Sequence, residues 1–181
     1  LNIIHGLGAK VGASITEATG IKAISFTGGT STGKAIASVA APMFKKMSLE
    51  LGGKNPNIIF EDCDFDKALS TTVMSSFANQ GQICLCGSRI MVQRSIYEKF
   101  RDAFVEKVSK LQVGDPKNED SNLGAIVSKE HLEKIKYYIN LAKEEGGKIL
   151  TGGKSPVVNG RCEDGYFMRP TIIEGLSYDC R

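Results

Sequence analysis

The chain has 181 residues, 41% of them hydrophobic and 24% charged, a balance that suits a folded globular chain and excludes the polar, charge-dense composition of disordered ones. Its 23 basic and 20 acidic residues leave a net charge of +3 that is scattered rather than gathered into a basic stripe, so nothing in it asks for a nucleic acid partner. The apolar runs are short and broken by glycine or charge, whereas a membrane helix requires roughly 20 apolar residues.

Leu1 to Ile4 is an apolar run ended by His5-Gly6-Leu7-Gly8-Ala9-Lys10-Val11-Gly12, which predicts a strand, a glycine turn and the start of a helix. Ile21 to Phe26 is β-branched and aromatic, Thr27-Gly28-Gly29-Thr30 is a turn rich in capping residues, and Ser31 to Met43 is alanine-rich and helical. Met47 to Leu51 predicts a third short strand. Strands alternating with helices at this spacing indicate βαβ units, a mostly parallel sheet and an α/β fold. Beyond Gly52-Gly53, Asn57 to Phe60 predicts a strand, Phe65 to Asn79 a helix, and Ser88 to Gln93 another strand. Ser95-Ile96-Tyr97-Glu98 has the form of a capping box, and Ile96, Phe100, Phe104, Val108 and Leu111 recur behind it at helical spacing. Gly114-Asp115-Pro116 opens a polar loop that reaches Asn122. Leu132, Ile135, Ile139 and Ala142 mark a further helix ending at Gly146-Gly147, and Ser155 to Asp164 reads as surface loop.

Two segments draw attention for their chemistry. Asn79-Gln80-Gly81-Gln82-Ile83-Cys84 places a thiol just past a predicted helix and ahead of a strand, a junction that can hold a side chain at the bottom of a cleft. A lone cysteine is more often a small buried hydrophobe. Leu49-Glu50-Leu51-Gly52-Gly53-Lys54 sets a carboxylate between two leucines; the plain reading is a solvated or salt-bridged glutamate, the functional one a general base in apolar surroundings. Gly8 and Gly12 near a helix start can admit a pyrophosphate to backbone N–H groups, although Gly-x-x-x-Gly alone also describes a bare turn. The five cysteines, Cys63, Cys84, Cys86, Cys162 and Cys180, lack the paired spacing of a zinc site or a secreted disulfide framework, and His5 and His131 have no ligand-like partners. No metal is expected, and a reducing, cytoplasmic setting fits these thiols. The chain opens on Leu1 and closes on Asp179-Cys180-Arg181, which reads as a portion of a longer protein, so a targeting segment, if that protein has one, falls outside it.

Leu49-Glu50-Leu51-Gly52-Gly53-Lys54 followed by Asn79-Gln80-Gly81-Gln82-Ile83-Cys84 resembles, in order and spacing, the paired active-site signatures of the aldehyde dehydrogenase superfamily. Phe26-Thr27-Gly28-Gly29 is similar to the nicotinamide-side turn of that family, and Gly165-Tyr166-Phe167 with Arg169-Pro170-Thr171 to a late segment of its catalytic domain, so the likeness runs over the whole chain. Asn55-Pro56, Ile83-Cys84-Leu85-Cys86 and Tyr178-Asp179-Cys180-Arg181 look most like the 2-aminomuconic and 2-hydroxymuconic semialdehyde dehydrogenases.

The resemblance implies residues 1–51 as the later part of a Rossmann-like NAD(P)-binding domain and residues 52–181 as the first part of an α/β catalytic domain. It implies oxidation of an aldehyde, a muconic semialdehyde among the candidates, by NAD, with NADP left open. Cys84 would be the nucleophile and Glu50 the base that hydrolyses a thioester. The Cys84 N–H would be one oxyanion donor, the other being an upstream asparagine that this chain does not contain. Cofactor contacts are implied at Gly8, Gly12, Phe26, Thr27, Gly28 and Gly29. The family often has serine at the last of these positions, so a side-chain contact is expected to be missing. A homo-dimer or homo-tetramer is implied for the longer protein. Two competing readings are a CoA-acylating semialdehyde dehydrogenase, against which a glutamate base argues, and a truncated fragment without turnover.

Overall fold

Short β-branched runs alternating with alanine-rich and amphipathic segments give six strands and five α-helices in the computed structural model, which describes residues 1–181. They fall into two compact units, Leu1–Gly53 and Lys54–Arg181. No helix is long and apolar enough to cross a membrane.

In the first unit, β1 (Ala23–Gly28) and β2 (Lys46–Leu51) form a parallel pair with Phe26 opposite Leu49 and Thr27 opposite Glu50. The crossover between them is α2 (Thr30–Ala40), which begins at the N-cap Gly29. Gly33 lets this helix approach the pair closely, since a Cβ there would lie 2.7 Å from Leu51 Cδ2. Upstream, a π-helical turn over Gly8–Gly12 leads into α1 (Ala13–Glu17). Lys45 is buried, and its ammonium donates to the carbonyls of Thr16 and Ala18 at the end of α1, where the helix dipole favours a cation. The strand predicted for Leu1 to Ile4 does not form. The run pairs with no other strand and Ile3 is 71% exposed, so local β propensity has no ladder to join.

In the second unit, β3 (Asn55–Ile59) and β4 (Gly87–Val92) are parallel and joined through α3 (Phe65–Phe77). Asp64 caps α3 by accepting from the Lys67 N–H at 3.2 Å. The 3.6-residue spacing noted in the sequence becomes the buried face of α4 (Tyr97–Ser109), whose Phe100, Phe104 and Val108 pack with Ile59 and Leu69 into the core. Phe65 meets Phe100 edge-on at 5.7 Å and Phe77 stacks on Phe104 at 6.1 Å, which locks α3 against α4. Further along, α5 (Lys129–Glu144) is capped by Ser128 and followed by β5 (Lys148–Thr151), which pairs antiparallel with β6 (Ile172–Glu174).

Two expectations are corrected in this unit. The capping box at Ser95 does not form: α4 starts at Tyr97 behind a 3₁₀ turn, its N-cap Ile96 makes no side-chain bond, and the Ser95 hydroxyl donates to the Glu61 carboxylate instead. This bond to a charged acceptor holds the Ser95 side chain at Glu61, and its oxygen accepts from no N–H of the first turn of α4. The helix predicted through Asn79 stops at Phe77, because Asn79, Gln80 and Gly81 all turn left-handed.

Candidate active site

The thiol segment is built between α3 and β4. After Phe77 the chain passes through a left-handed run, Asn79 at φ 49°, Gln80 at 57° and Gly81 at 72°. For the two non-glycine residues this costs about 1–2 kcal/mol each. A β-turn follows over Ile83–Cys86, closed by the Cys86 N–H donating to the Ile83 carbonyl at 3.1 Å. Cys84 occupies the second position of that turn and is exposed, whereas Cys86 at its end is buried. The Cys84 N–H takes no acceptor within the turn.

Neighbouring elements hold the turn at both ends. The Gln82 side-chain oxygen accepts from the Val127 N–H at 3.3 Å. On the other side, the Gly87 N–H donates to Ser75 Oγ at 3.3 Å and the Ser76 hydroxyl donates to the Gly87 carbonyl at 2.9 Å, tying the start of β4 to α3. The Asn55 amide reaches across from β3 and donates to the carbonyls of Cys84 at 2.6 Å and Cys86 at 3.2 Å. None of these holders stood out in the sequence by its own chemistry. The one local signal was Asn55-Pro56, because proline confines the preceding residue to extended backbone.

A cavity of about 260 Å³ lies among Phe77, Ile90, Tyr97, Phe100 and Glu174, and a second among Asn57, Phe60, Cys63 and Thr72; Cys84 lines neither. Cys84 stays exposed on a turn fastened through Asn55, Ser75, Ser76 and the Gln82–Val127 bond.

Glu50 belongs to the first unit, one residue from the end of β2, and is exposed. The register of the parallel pair sets it beside Thr27, and Leu51 beside Gly28. Four of the singled-out residues, Phe26, Thr27, Gly28 and Glu50, therefore gather at the carboxyl ends of two parallel strands, where open α/β sheets bind their ligands. Gly29 follows as the N-cap of α2, an 11-residue helix whose first N–H groups suit an anion. A Cβ at Gly8, Gly12 or Gly29 would meet nothing within 4 Å, so packing inside the chain does not account for glycine at these positions. Gly28 differs, since a Cβ there would lie 2.5 Å from the Phe26 ring. No group of three or more His, Cys, Asp or Glu side chains is placed to hold a metal ion.

Comparison with known proteins extends over the same residues. The family model described as "Aldehyde dehydrogenase family" matches residues 1–181. The chain is 47% identical to the 2-aminomuconic semialdehyde dehydrogenase of Mus musculus, covering 100% of this chain and 38% of the relative. The human protein of the same description is also 47% identical, over 97% of this chain and 37% of its own length. The chain thus spans a little over a third of the length of the curated relatives it matches. Among solved structures, a betaine aldehyde dehydrogenase from Staphylococcus aureus in complex with NAD+ superposes with a TM-score of 0.93 at 41% identity, over 98% of this chain and 36% of that one.

Proposed function

The chain belongs to the aldehyde dehydrogenase family, and we propose that the protein carrying it oxidises an aldehyde to a carboxylic acid, with Cys84 as nucleophile, Glu50 as base and NAD as hydride acceptor. The observation that carries this reading is the Ile83–Cys86 turn, which presents an exposed thiol next to a backbone N–H left without an acceptor.

The Cys84 thiolate attacks the aldehyde carbon, a carbon–sulfur bond forms, and the carbonyl oxygen becomes an alkoxide that the Cys84 N–H can receive. NAD, when bound, supplies the site that accepts the hydride from that carbon, and a thioester remains on Cys84. Glu50 then takes a proton from water as the water attacks the thioester carbonyl. Collapse of this second tetrahedral intermediate expels the Cys84 thiolate and frees the carboxylic acid.

Residues of the first unit fit the dinucleotide. Gly8, Gly12 and Gly29 keep their backbone open to a close neighbour, and Thr27-Gly28 ends β1 ahead of the α2 N-terminus, so a phosphate or the nicotinamide end meets N–H donors. The substrate we favour is a muconic semialdehyde, supported by the 47% identity to the mouse and human 2-aminomuconic semialdehyde dehydrogenases. A cytoplasmic setting agrees with five free cysteines, and a homo-dimer or homo-tetramer with the family resemblance.

Glu50→Gln in the whole protein tests the division of labour. We expect one equivalent of NADH in a rapid burst, then a stall, with mass spectrometry finding an acyl adduct on Cys84. Steady turnover without an adduct removes Glu50 from the mechanism.

A further inference from the structure

We propose that Asn55 is a positioning residue for the Cys84 nucleophile, its side-chain amide locking the central peptide of the turn that carries the thiol. The inference rests on the reading of Cys84 given above.

In a β-turn the peptide between the second and third residues is the freest part. It turns over by roughly half a rotation between the two commonest turn types, while the closing hydrogen bond stays in place. Here that peptide joins Cys84 to Leu85, and the Cys86-to-Ile83 bond does not restrain it. Asn55 does. Asn55 Nδ2 donates to the Cys84 carbonyl oxygen at 2.6 Å and to the Cys86 carbonyl oxygen at 3.2 Å, so a single planar group fixes the central peptide relative to the end of the turn. Only an amide supplies two diverging donors at this reach; a hydroxyl has one, and a carboxylate has none.

The backbone prepares Asn55 for this role. Pro56 holds it extended at the start of β3, where it is half-buried and pairs with Gly87, and the register between β3 and β4 shifts at the next residue. A shift of this kind re-aims the side chain beside it. With both donors engaged, the Cys84 carbonyl oxygen stays directed at Asn55. Without them it is free to swing through the surroundings of the thiolate and the Cys84 N–H, where the negative end of its dipole opposes both the thiolate and the developing alkoxide.

Asn55→Asp, made in the whole protein, keeps the shape, removes both donors and adds a negative charge facing two carbonyl oxygens. We expect kcat to fall at least about tenfold, with KM for the aldehyde and Kd for NAD each within about threefold of the unaltered protein. The pH midpoint for iodoacetamide alkylation of Cys84, followed by peptide mass spectrometry, should move upward, with Cys86 still protected. Asn55→Ser, with one donor, should lose at least about threefold in kcat and move the alkylation midpoint the same way. If the Asp variant does not fold, the Ser variant decides by the same two readings. Unchanged kcat and alkylation profile overturn the proposal, and so does a loss accompanied by alkylation of Cys86, which marks unfolding of the segment. Cys84→Ser runs alongside. Turnover retained in that variant overturns the nucleophile itself, whereas an inactive Cys84→Ser beside a fully active Asn55→Asp overturns the role of Asn55 alone.

Discussion

Asp115 shows how one side chain can fasten a loop that has no secondary structure of its own. Its carboxylate accepts a fork of bonds from the Arg161 guanidinium, with Nε at 2.6 Å from Oδ2, and also accepts from the Lys117 N–H at 2.8 Å. The polar loop is thereby tied to a segment 46 positions away. The Arg161 bonds, followed by the Lys117 bond, hold this carboxyl below the usual aspartate value of 3.8. A depressed folded-state pKa gives stability that is fully present above the ordinary value and is lost as pH falls through the folded one. The pair is solvent-exposed, so the effect on overall stability is small. The sharper reading is local: an NMR titration should find the Asp115 carboxyl below the ordinary carboxylate range, and Arg161→Gln should raise it. An Asp115 midpoint that Arg161→Gln leaves in place would show that the ion pair does not persist in solution.

Two of the three long helices of the second unit, α4 and α5, start in different ways, and their stabilities should respond differently. At α5, Ser128 accepts from the His131 N–H at 3.2 Å, satisfying one of the donors that the first turn leaves without partners. At α4 the serine two residues upstream of the helix gives its hydroxyl to Glu61, and the helix relies on burying Phe100, Phe104 and Val108. Ser128→Ala should therefore cost about 1 kcal/mol, while Ser95→Ala should cost less than about half of that, its bond being an exposed one. Denaturant midpoints at unchanged m decide the matter. Equal losses would mean that Ser95 caps α4 after all.

On the scale of the whole chain, the strands form three separate two-stranded sheets, so every strand keeps an open edge. Large apolar side chains stand in solvent as well, among them Phe44 at 95%, Leu85 at 80% and Phe60 at 60% exposure. Open edges and apolar patches of this kind seek partners. A dinucleotide site of the doubly wound type needs several adjacent parallel strands, whereas the first unit supplies one pair. Expressed by itself, this chain should bind NAD weakly or not at all, form no NADH with any of several aldehydes, and aggregate. Calorimetric titration and an absorbance assay check these outcomes, and micromolar NAD binding with sustained turnover would refute them.

The α/β class and the helices α4 and α5 were readable from the sequence because hydrophobic period and turn chemistry are local properties. Phe100, Phe104 and Val108 needed only their spacing to be assigned to a core. Cys84 and Glu50 stood out through the motifs around them, while the parallel register that sets Thr27 beside Glu50 needed the fold. Only tertiary structure decided that Leu1–Ile4 would stay unpaired, that Ser95 would turn to Glu61, and that β5 and β6 would form at all. The support of the thiol turn belongs to the same group, since Asn55 lies 29 positions from Cys84 and Gln82 meets a residue 45 positions on. The physical reason is common to all of these: a backbone donor, a strand edge or a side-chain amide chooses among partners that the folded chain brings near, and sequence spacing does not rank partners so far apart.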